Sequence, residues 1–257
     1  MNNTIGKIIT ISSVKGGVGK TTITVNLAGI YYLMKKKVLI IDLDLYAGGI
    51  ATITNVGNKK DIYMLIDALS NNKQVELHDY VSAYNNGIDI LACPKDPRDV
   101  SKIESKYISK VFELAKHEYD VILVDTSHSL DEVCLMAMDA SYNSLFVITN
   151  DLVDIKNMKS LVSIFTEIGK TNYKILLNNS RDTGRDYIEL FDIRNMIKAN
   201  IDYTISRSFY IKNIDKYVLK GDILTLNKTI RRFNQNDIKN MEKLAEALIR
   251  ENKESDS

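Results

Sequence analysis

The sequence predicts a single α/β domain with a mainly parallel, doubly wound β-sheet flanked by helices. Apolar runs of strand length alternate with longer segments of helical periodicity through the 257 residues, and this order requires parallel strands joined by helical crossovers. A composition that is 45% apolar and 26% charged supplies the core that such a domain needs. We therefore expect one domain over residues 1–250 and a polar tail over residues 251–257.

The charge and cysteine content point to no special partner. The net charge is +1, so the overall balance does not demand nucleic acid or an anionic membrane. Cys93 and Cys134 have no metal-binding or CxxC spacing and lie among apolar residues, which is typical of small core residues in a reducing compartment. With no signal-peptide pattern and no membrane-length apolar run, the sequence predicts a cytoplasmic protein.

A glycine-rich segment lies between the first predicted strand, Lys7–Ile11, and the first predicted helix, Ile23–Ile30. Strand, glycine-rich turn and helix in this order form a phosphate-binding P-loop. Glycines let backbone N–H groups converge on phosphate oxygens, Lys20 would neutralise the β- and γ-phosphates, and the Thr21 hydroxyl would bind Mg²⁺. The fold class is thus that of a P-loop NTPase, with phosphate-binding residues predicted at Gly16, Gly17, Val18, Gly19, Lys20, Thr21 and Thr22.

This segment departs from the strict pattern G-x-x-x-x-G-K-[ST]. Val14 stands where the first glycine is required, and Lys15 adds a second lysine to the loop. The alternative is an ordinary glycine turn with two solvated lysines. Three glycines, two lysines and two threonines in the eight residues from Lys15 to Thr22 disfavour that alternative. We therefore predict nucleotide binding.

Carboxylates follow two of the predicted buried strands. Val38–Ile41 leads into Asp42 and Asp44, and Val121–Val124 leads into Asp125, which is the Walker B pattern. Each could instead be an ordinary loop or cap aspartate. Because ligands of open α/β sheets bind at the carboxyl ends of the strands, the upstream P-loop favours a site for Mg²⁺ and an attacking water.

The remaining elements are predicted from periodicity. His128, in the loop after Asp125, has no cluster of metal-binding residues near it and is interpreted as a loop histidine. Ser129 and Glu132 predict a capping box before the next helix. Further helices are predicted at 61–69, from a cap at Asp99 to about His117, and at 154–168, 187–196, 209–219 and 236–250, with strands at 87–93, 144–150, 173–179 and 201–205.

The run Lys15-Gly16-Gly17-Val18-Gly19-Lys20-Thr21-Thr22 resembles the deviant Walker A motif of the ParA/MinD ATPases, whose signature lysine falls at Lys15. Asp42-Leu43-Asp44-Leu45, followed by Gly48, strengthens the likeness. Residues 119–133 and 140–169 look most like the CpaE/TadZ branch, which helps localise and assemble Flp-type (Tad) pili. The resemblance covers residues 5–248.

The resemblance implies an ATP-binding switch with slow ATPase activity, which forms a homodimer when ATP is bound. In that family the signature lysine of each protomer reaches the other's phosphates. The resemblance also implies envelope or pilus machinery proteins as partners, which would recruit the protein to the inner face of the membrane or the pole. Its cofactors would be ATP and Mg²⁺, with Lys15, Lys20 and Asp44 catalytic, Thr21, Asp42 and Asp125 at the metal, and Asn178 at the adenine.

Three positions depart from the family pattern. Ser127 and Ser206 stand where proline is usual, and Asn179 stands where arginine is usual. These differences concern the base side of the site more than the phosphate side. Many CpaE-like proteins also carry an N-terminal receiver-like domain, whereas this sequence starts at the first strand, so polar localisation by that route is not expected.

Three other functions stay open. A MinD-like or FlhG-like membrane switch requires a basic amphipathic C-terminal helix, but the last residues are acidic, which disfavours direct membrane anchoring. A nucleotide-binding scaffold without turnover would carry the same motifs. A ParA-like DNA-partition protein requires clustered basic residues, and DNA remains an open but disfavoured partner because a solvated helix face is the commoner meaning of Lys228, Arg231, Arg232, Lys239 and Lys243.

Overall fold

The computed structural model describes residues 5–57, 59–179, 188–209 and 214–250. Its strands are β1 Lys7–Ser12, β2 Val38–Leu43, β3 Ser82–Ala83, β4 Ile88–Leu91, β5 Val121–Thr126, β6 Asn143–Ile148, β7 Tyr173–Asn178 and β8 Tyr203–Ile205. They form one sheet in the order β3-β4-β2-β5-β1-β6-β7-β8. Only the β3–β4 pairing is antiparallel among these strands, which confirms the predicted mainly parallel sheet.

The helices of the described residues cover both faces of this sheet. They are α1 Lys20–Leu33, α2 Ile50–Ile53, α3 Ile62–Ser70, α4 Pro97–Val100, α5 Ile108–Glu118, α6 Glu132–Ala140, α7 Leu152–Glu167, α8 Leu190–Ile197, α9 Ile214–Val218, α10 Lys228–Phe233 and α11 Gln235–Ile249. Ile9 and Ile11 of β1 enter a core formed with α1 and α11, whereas Ile8 enters a core formed with α3 and α5. Successive side chains of a strand point to opposite faces, so continuous apolar strands feed both cores.

Several helices begin at a different residue from the one predicted, because aspartate caps set their starts. The helix predicted at 61–69 starts one residue later, because the Asp61 side chain accepts a hydrogen bond from the N–H of Met64 and so caps α3. Asp96 caps α4, with proline at its first position, and Asp131 caps α6 through the N–H of Cys134. The predicted caps Asp99 and Ser129 were therefore wrong. Asp96 and Asp131 are the caps that the structure uses in their place, since an aspartate directly before the first turn is a favoured cap.

The single helix predicted from Asp99 to about His117 was also wrong. The chain forms α4, then a 3₁₀ turn at Ser105–Tyr107, and only then α5. Ile103 and Tyr107 still pack against the core below α5. Two short turns thus bury the same side chains that a continuous helix would have buried, and periodicity alone does not separate the two arrangements.

The C-terminal region contains one helix more than predicted, because α10 precedes α11. The apolar face of α11 is buried against the sheet by Met241, Leu244, Ala245 and Leu248. Parts of the helices predicted at 187–196 and 209–219, and the tail predicted at 251–257, lie outside the described residues. In the described part of the chain, none of the helices combines the length and the apolarity that crossing a bilayer takes.

A close approach at Gly29 joins α1 to the segment before α10. The Thr225 N–H donates to Oδ1 of Asn26 at 3.0 Å, and the Thr225 hydroxyl donates to the carbonyl of Asn26 at 2.9 Å. A Cβ at Gly29 would overlap the Thr225 hydroxyl and lie 2.9 Å from Ile223. We expect Gly29→Ala to destabilise the protein by about 1–3 kcal/mol, because overpacking displaces this segment.

Equilibrium denaturation measures the effect of Gly29→Ala. Gly57→Ala is the matched control, because an added Cβ there meets no described atom within 4 Å, and its stability should stay within about 0.5 kcal/mol of the parent. Equal stability of the two variants would contradict the close approach of Thr225 to Gly29.

Candidate functional site

The sheet order brings together the loops that carry most of the predicted site residues. β1 lies between β5 and β6, and β2 lies on the other side of β5. Because these strands are parallel, the segments that follow them meet at one edge of the sheet. The glycine-rich loop after β1 is therefore flanked by the loop after β5 on one side and by the loop after β6 on the other. Asn178 ends β7, one strand further along.

The glycine-rich loop has a backbone that only glycine adopts easily. Gly17 and Gly19 have φ angles of 72° and 95°, in the left-handed region. A Cβ at Gly19 would lie 2.6 Å from Nδ2 of Asn178, and this Nδ2 donates a hydrogen bond of 2.8 Å to the carbonyl of Val18. Gly19 precedes α1 without a side-chain cap, so the first-turn N–H groups of α1 suit an anionic ligand.

Hydroxyl and carboxylate groups converge at the start of α1. The Thr21 hydroxyl donates to Oδ2 of Asp125 at 2.7 Å, and the Thr24 hydroxyl donates to Oδ1 at 3.1 Å. Asp42 is the register partner of Asp125 on the adjacent strand. Lys20 is largely buried beside them. The structure thus brings together Lys20, Thr21, Asp42 and Asp125, and it adds Thr24, one helical turn after the lysine, which motif reading missed.

The Asp42 carboxylate is held by the loop that follows β2. Its oxygens accept the N–H groups of Asp44 and Ile50, each at 3.2 Å. A Cβ at Gly48 would lie 2.6 Å from Oδ2 of Asp42 and 2.5 Å from Sγ of Cys93, so glycine is needed for this close approach. Cys93 is half-buried and borders the site, contrary to its interpretation as a core residue. Burial raises the pKa of the Cys93 thiol to about 12, which keeps it protonated.

Two buried carboxyl groups lie side by side here. Burial, together with the charge of Asp125, raises the pKa of Asp42 to about 8. Burial also raises the pKa of Asp125 to about 6, against the hydrogen bond from Thr21 and the charge of Lys20. The raised pKa values show that the two carboxylates lack a compensating positive charge. Such a pair, beside a hydroxyl and a phosphate-binding loop, supplies the oxygen ligands that suit Mg²⁺ bound with a nucleotide. The residues present therefore fit both groups.

We expect the nucleotide-free protein to lose stability as the pH rises from about 4 to about 8. The pKa values of Asp42 and Asp125 are higher in the folded chain than the unfolded value near 4. The folded state therefore holds more protons in this window, and stability falls with rising pH by up to about 1.4 kcal/mol per pH unit for each proton. Denaturation at several pH values measures the slope, which Asp42→Asn should flatten. An unchanged slope in that variant would contradict the assignment.

Lys15 lies on the side of the loop that faces β6. Its Nζ is 2.9 Å from Oδ1 of Asp151, and the two side chains are 30% and 37% exposed. Asp151 also caps α7 by accepting the N–H groups of Val153 and Asp154. Sequence reasoning missed Asp151, although an aspartate directly before an apolar helical run is a common cap signal. Lys15 thus lies outside the group formed by Thr21 and the buried carboxylates.

Asn178 and the three residues that depart from the family pattern differ in the hydrogen bonds that they form. Asn178 is buried, and no described group bonds its Oδ1. The N–H and hydroxyl of Ser206 both bond the Asp237 carboxylate, at 2.8 and 2.6 Å, and a proline could make neither bond. The Asn179 N–H bonds the carbonyl of Ile205 on β8. The Ser127 hydroxyl bonds within its own loop.

The parallel sheet, the glycine-rich loop and the carboxylates at neighbouring strand ends define a P-loop NTPase domain. Residues 6–178 match the family described as AAA domain (AAA_31). The chain belongs to this family, and its relatives support a place in the ParA/MinD superfamily.

The chain is similar to septum site-determining proteins and to a ParA family ATPase. It is 24% identical over 178 residues to a putative septum site-determining protein MinD of Emiliania huxleyi, and the match covers 69% of this chain and 64% of that protein. A ParA family ATPase from Chlorobium tepidum superposes with a TM-score of 0.76 at 22% identity, over 93% of this chain and 98% of that one. MinD of Pyrococcus horikoshii, solved with Mg-ADP, superposes with a TM-score of 0.76 at 22% identity, over 96% of this chain and 97% of that one. The likeness to these structures establishes the fold.

Proposed function

We propose that this protein is a nucleotide-dependent switch that binds ATP with Mg²⁺, dimerises in that state and hydrolyses ATP slowly. The observation that carries the proposal is the convergence of Thr21, Asp42 and Asp125 at the start of α1, next to the glycine-rich loop. Mg²⁺ would neutralise the phosphates and the paired carboxylates together. Its fit is supported by the raised pKa values of both aspartates.

Each residue of the site has a proposed task. The N–H groups of residues 16–22 would bind phosphate oxygens, and the buried ammonium of Lys20 would compensate the negative charge. Thr21 and Asp42 would lie by the metal, and Asp125 would hold the metal's water shell. Asp44, half-buried at the end of β2, would orient the attacking water. Its backbone N–H already fixes the neighbouring carboxylate.

The surroundings of the loop support a dimer in which Lys15 serves the partner's nucleotide. Its ion pair with Asp151 is partly exposed, and such pairs contribute only about 0–1 kcal/mol, so Lys15 can leave it at little cost. Leu130, in the loop after β5, is 40% exposed, and Leu152 and Val153, at the start of α7, are 53% and 59% exposed. Exposed apolar side chains around a charged cleft suit an interface that closes over the ligand.

We further propose that the switch positions a machine of the cell envelope, with Flp/Tad-type pilus assembly as the first candidate. The likeness of residues 119–133 and 140–169 to the CpaE/TadZ branch supports it. A MinD-like, FlhG-like or ParA-like role is the second candidate, supported by the relatives named above. Direct membrane anchoring through α11 is disfavoured, because its apolar residues are used inside the domain. Neighbouring genes for a secretion ATPase and prepilins would favour the pilus role, and their absence would favour the second candidate.

Calorimetry and light scattering test the switch. Titration with ATP and Mg²⁺ should give a heat of binding, and light scattering should show the 29.1 kDa chain doubling its mass with ATP but not with ADP. A chain without any heat of binding would overturn nucleotide binding. A chain that binds ATP and stays monomeric would overturn only the dimer.

Asn178 should give the site its preference for adenine. Its Nδ2 is used by Val18, while its buried Oδ1 is free to accept a hydrogen bond from the 6-amino group of adenine. Guanine has an acceptor at that position, so it would leave Oδ1 unpaired.

We expect Asn178→Ala to lower the ratio of ATP to GTP affinity by about 10-fold, measured by competition binding. Asn236→Ala, which changes an exposed asparagine on α11, is the control and should keep the ratio. An unchanged ratio in Asn178→Ala would contradict this role.

A further inference from the structure

The imidazole ring of His128 lies against the glycine-rich loop. If Gly16 carried a Cβ, its three nearest atoms would be Nδ1, Cε1 and Cγ of His128, at 3.6, 3.7 and 3.7 Å. Near-equal distances to three bonded ring atoms place that part of the ring over the Gly16 position, at ordinary van der Waals separation. The ring therefore lies next to the loop that would bind phosphate, with room for a Cβ between the two.

The loop after β5 holds this histidine in place. The Ser127 hydroxyl bonds the Ser129 carbonyl at 3.1 Å and the Asp131 carboxylate at 3.4 Å, and it accepts the Ser129 N–H at 3.2 Å. Asp131 in turn caps α6. His128 is thus carried by a short, internally bonded loop and lies three residues after Asp125, the aspartate proposed to hold the metal's water shell.

The ring nitrogens of His128 form no hydrogen bond with the described part of the protein. The side chain is exposed, and no hydrogen bond or ion pair connects it to the described residues. The lysine on the other side of the loop differs, since Lys15 is paired with Asp151. Because the ring is exposed, water accepts its hydrogen bonds, and a phosphate oxygen of a bound ligand would be able to replace that water.

We propose that His128 donates a hydrogen bond to the terminal phosphate of a bound nucleoside triphosphate, which makes the site discriminate triphosphate from diphosphate. This inference rests on the proposed nucleotide binding. Metal ions at such sites bridge the β- and γ-phosphates, and the loop of His128 follows β5, the strand that carries Asp125 next to its end. On the proposed function, the third phosphate would lie toward Asp125 and so toward the loop that carries His128, whereas the phosphates of a diphosphate would be held by residues 16–22.

Calorimetry with AMPPNP and with ADP, both with Mg²⁺, tests the assignment. His128→Ala should weaken AMPPNP binding by roughly 10-fold and change ADP binding by less than about 2-fold. His128→Gln, which keeps an N–H donor, should recover most of the loss, and His128→Leu, which keeps only bulk against Gly16, should not. His117→Ala, an exposed histidine on α5, is the control. The same ratio change should appear in the Lys15→Ala background, in which we expect no dimerisation with ATP.

Three results would overturn the assignment. These are equal weakening of both nucleotides, wild-type behaviour of His128→Leu, and loss of the ratio change in the Lys15→Ala background. The two failures are distinguishable, because a parent chain that binds neither nucleotide overturns the proposed function as well. A parent chain that binds both, with an unaltered ratio in His128→Ala, overturns the role of His128 alone.

Discussion

Lys20→Ala is expected to weaken nucleotide binding by at least about 100-fold, the largest effect of any single change in this protein. Lys20 is only 7% exposed, and its charge lowers the pKa of Asp125. Without it, the triphosphate would meet two buried carboxylates with one fewer compensating charge. Calorimetry with ATP and Mg²⁺ measures the loss.

Two comparisons make the Lys20 result specific. Lys110→Ala removes an exposed lysine from α5 and should leave the affinity unchanged, which controls for net charge. Thermal unfolding of the nucleotide-free variants should show that Lys20→Ala still folds. Retained ATP affinity in a folded Lys20→Ala variant would show that the glycine-rich loop does not hold the phosphates as proposed.

Lys15→Ala should abolish ATP-dependent dimerisation while leaving ATP binding by the monomer within a few-fold of the parent. Lys15 faces outward to Asp151, away from the group formed by Thr21 and the buried carboxylates, so its removal costs the protomer's own site little. In the dimer it would be the cation that offsets the partner's triphosphate in a closed interface. Light scattering with ATP should therefore give 29.1 kDa for the variant at concentrations where the parent doubles its mass.

Asp151→Asn is the matched change for Lys15→Ala. An asparagine keeps a side-chain oxygen for the N–H groups of Val153 and Asp154 and so preserves the start of α7. It removes only the charge that holds Lys15 in the monomer. We expect this variant to dimerise with ATP at least as readily as the parent. If Lys15→Ala dimerised like the parent, the proposed crossing of the lysine would be wrong.

The phosphate and metal residues were accessible from the sequence because their geometry is local. Residues 14–22 join a strand to a helix, and the glycine content alone limits the backbone there. Asp42 and Asp125 each end an apolar strand, and parallel strands deliver their carboxyl ends to one edge. The register then makes these two aspartates direct neighbours.

Other contacts depend on which loops the sheet order places side by side. Asp151 and His128 come from the loops after β6 and β5, far from Lys15 and Gly16 along the chain. The residues next to each of these four in the sequence do not indicate that Asp151 pairs with Lys15 or that His128 lies beside Gly16. The same holds for Cys93 beside Asp42, since an apolar neighbourhood in sequence gave no sign that its side chain borders the site.

The sequence alone determined that this chain is a mainly parallel α/β domain with a glycine-rich loop and strand-end carboxylates, because hydrophobic period and glycine spacing act over a few residues. Only the tertiary structure decided what surrounds that loop: Asp151 on one side, His128 on the other, and Asn178 below it. The order β5-β1-β6-β7 places these groups, and that order is fixed by the packing of helices on both faces of the sheet, which no local segment encodes.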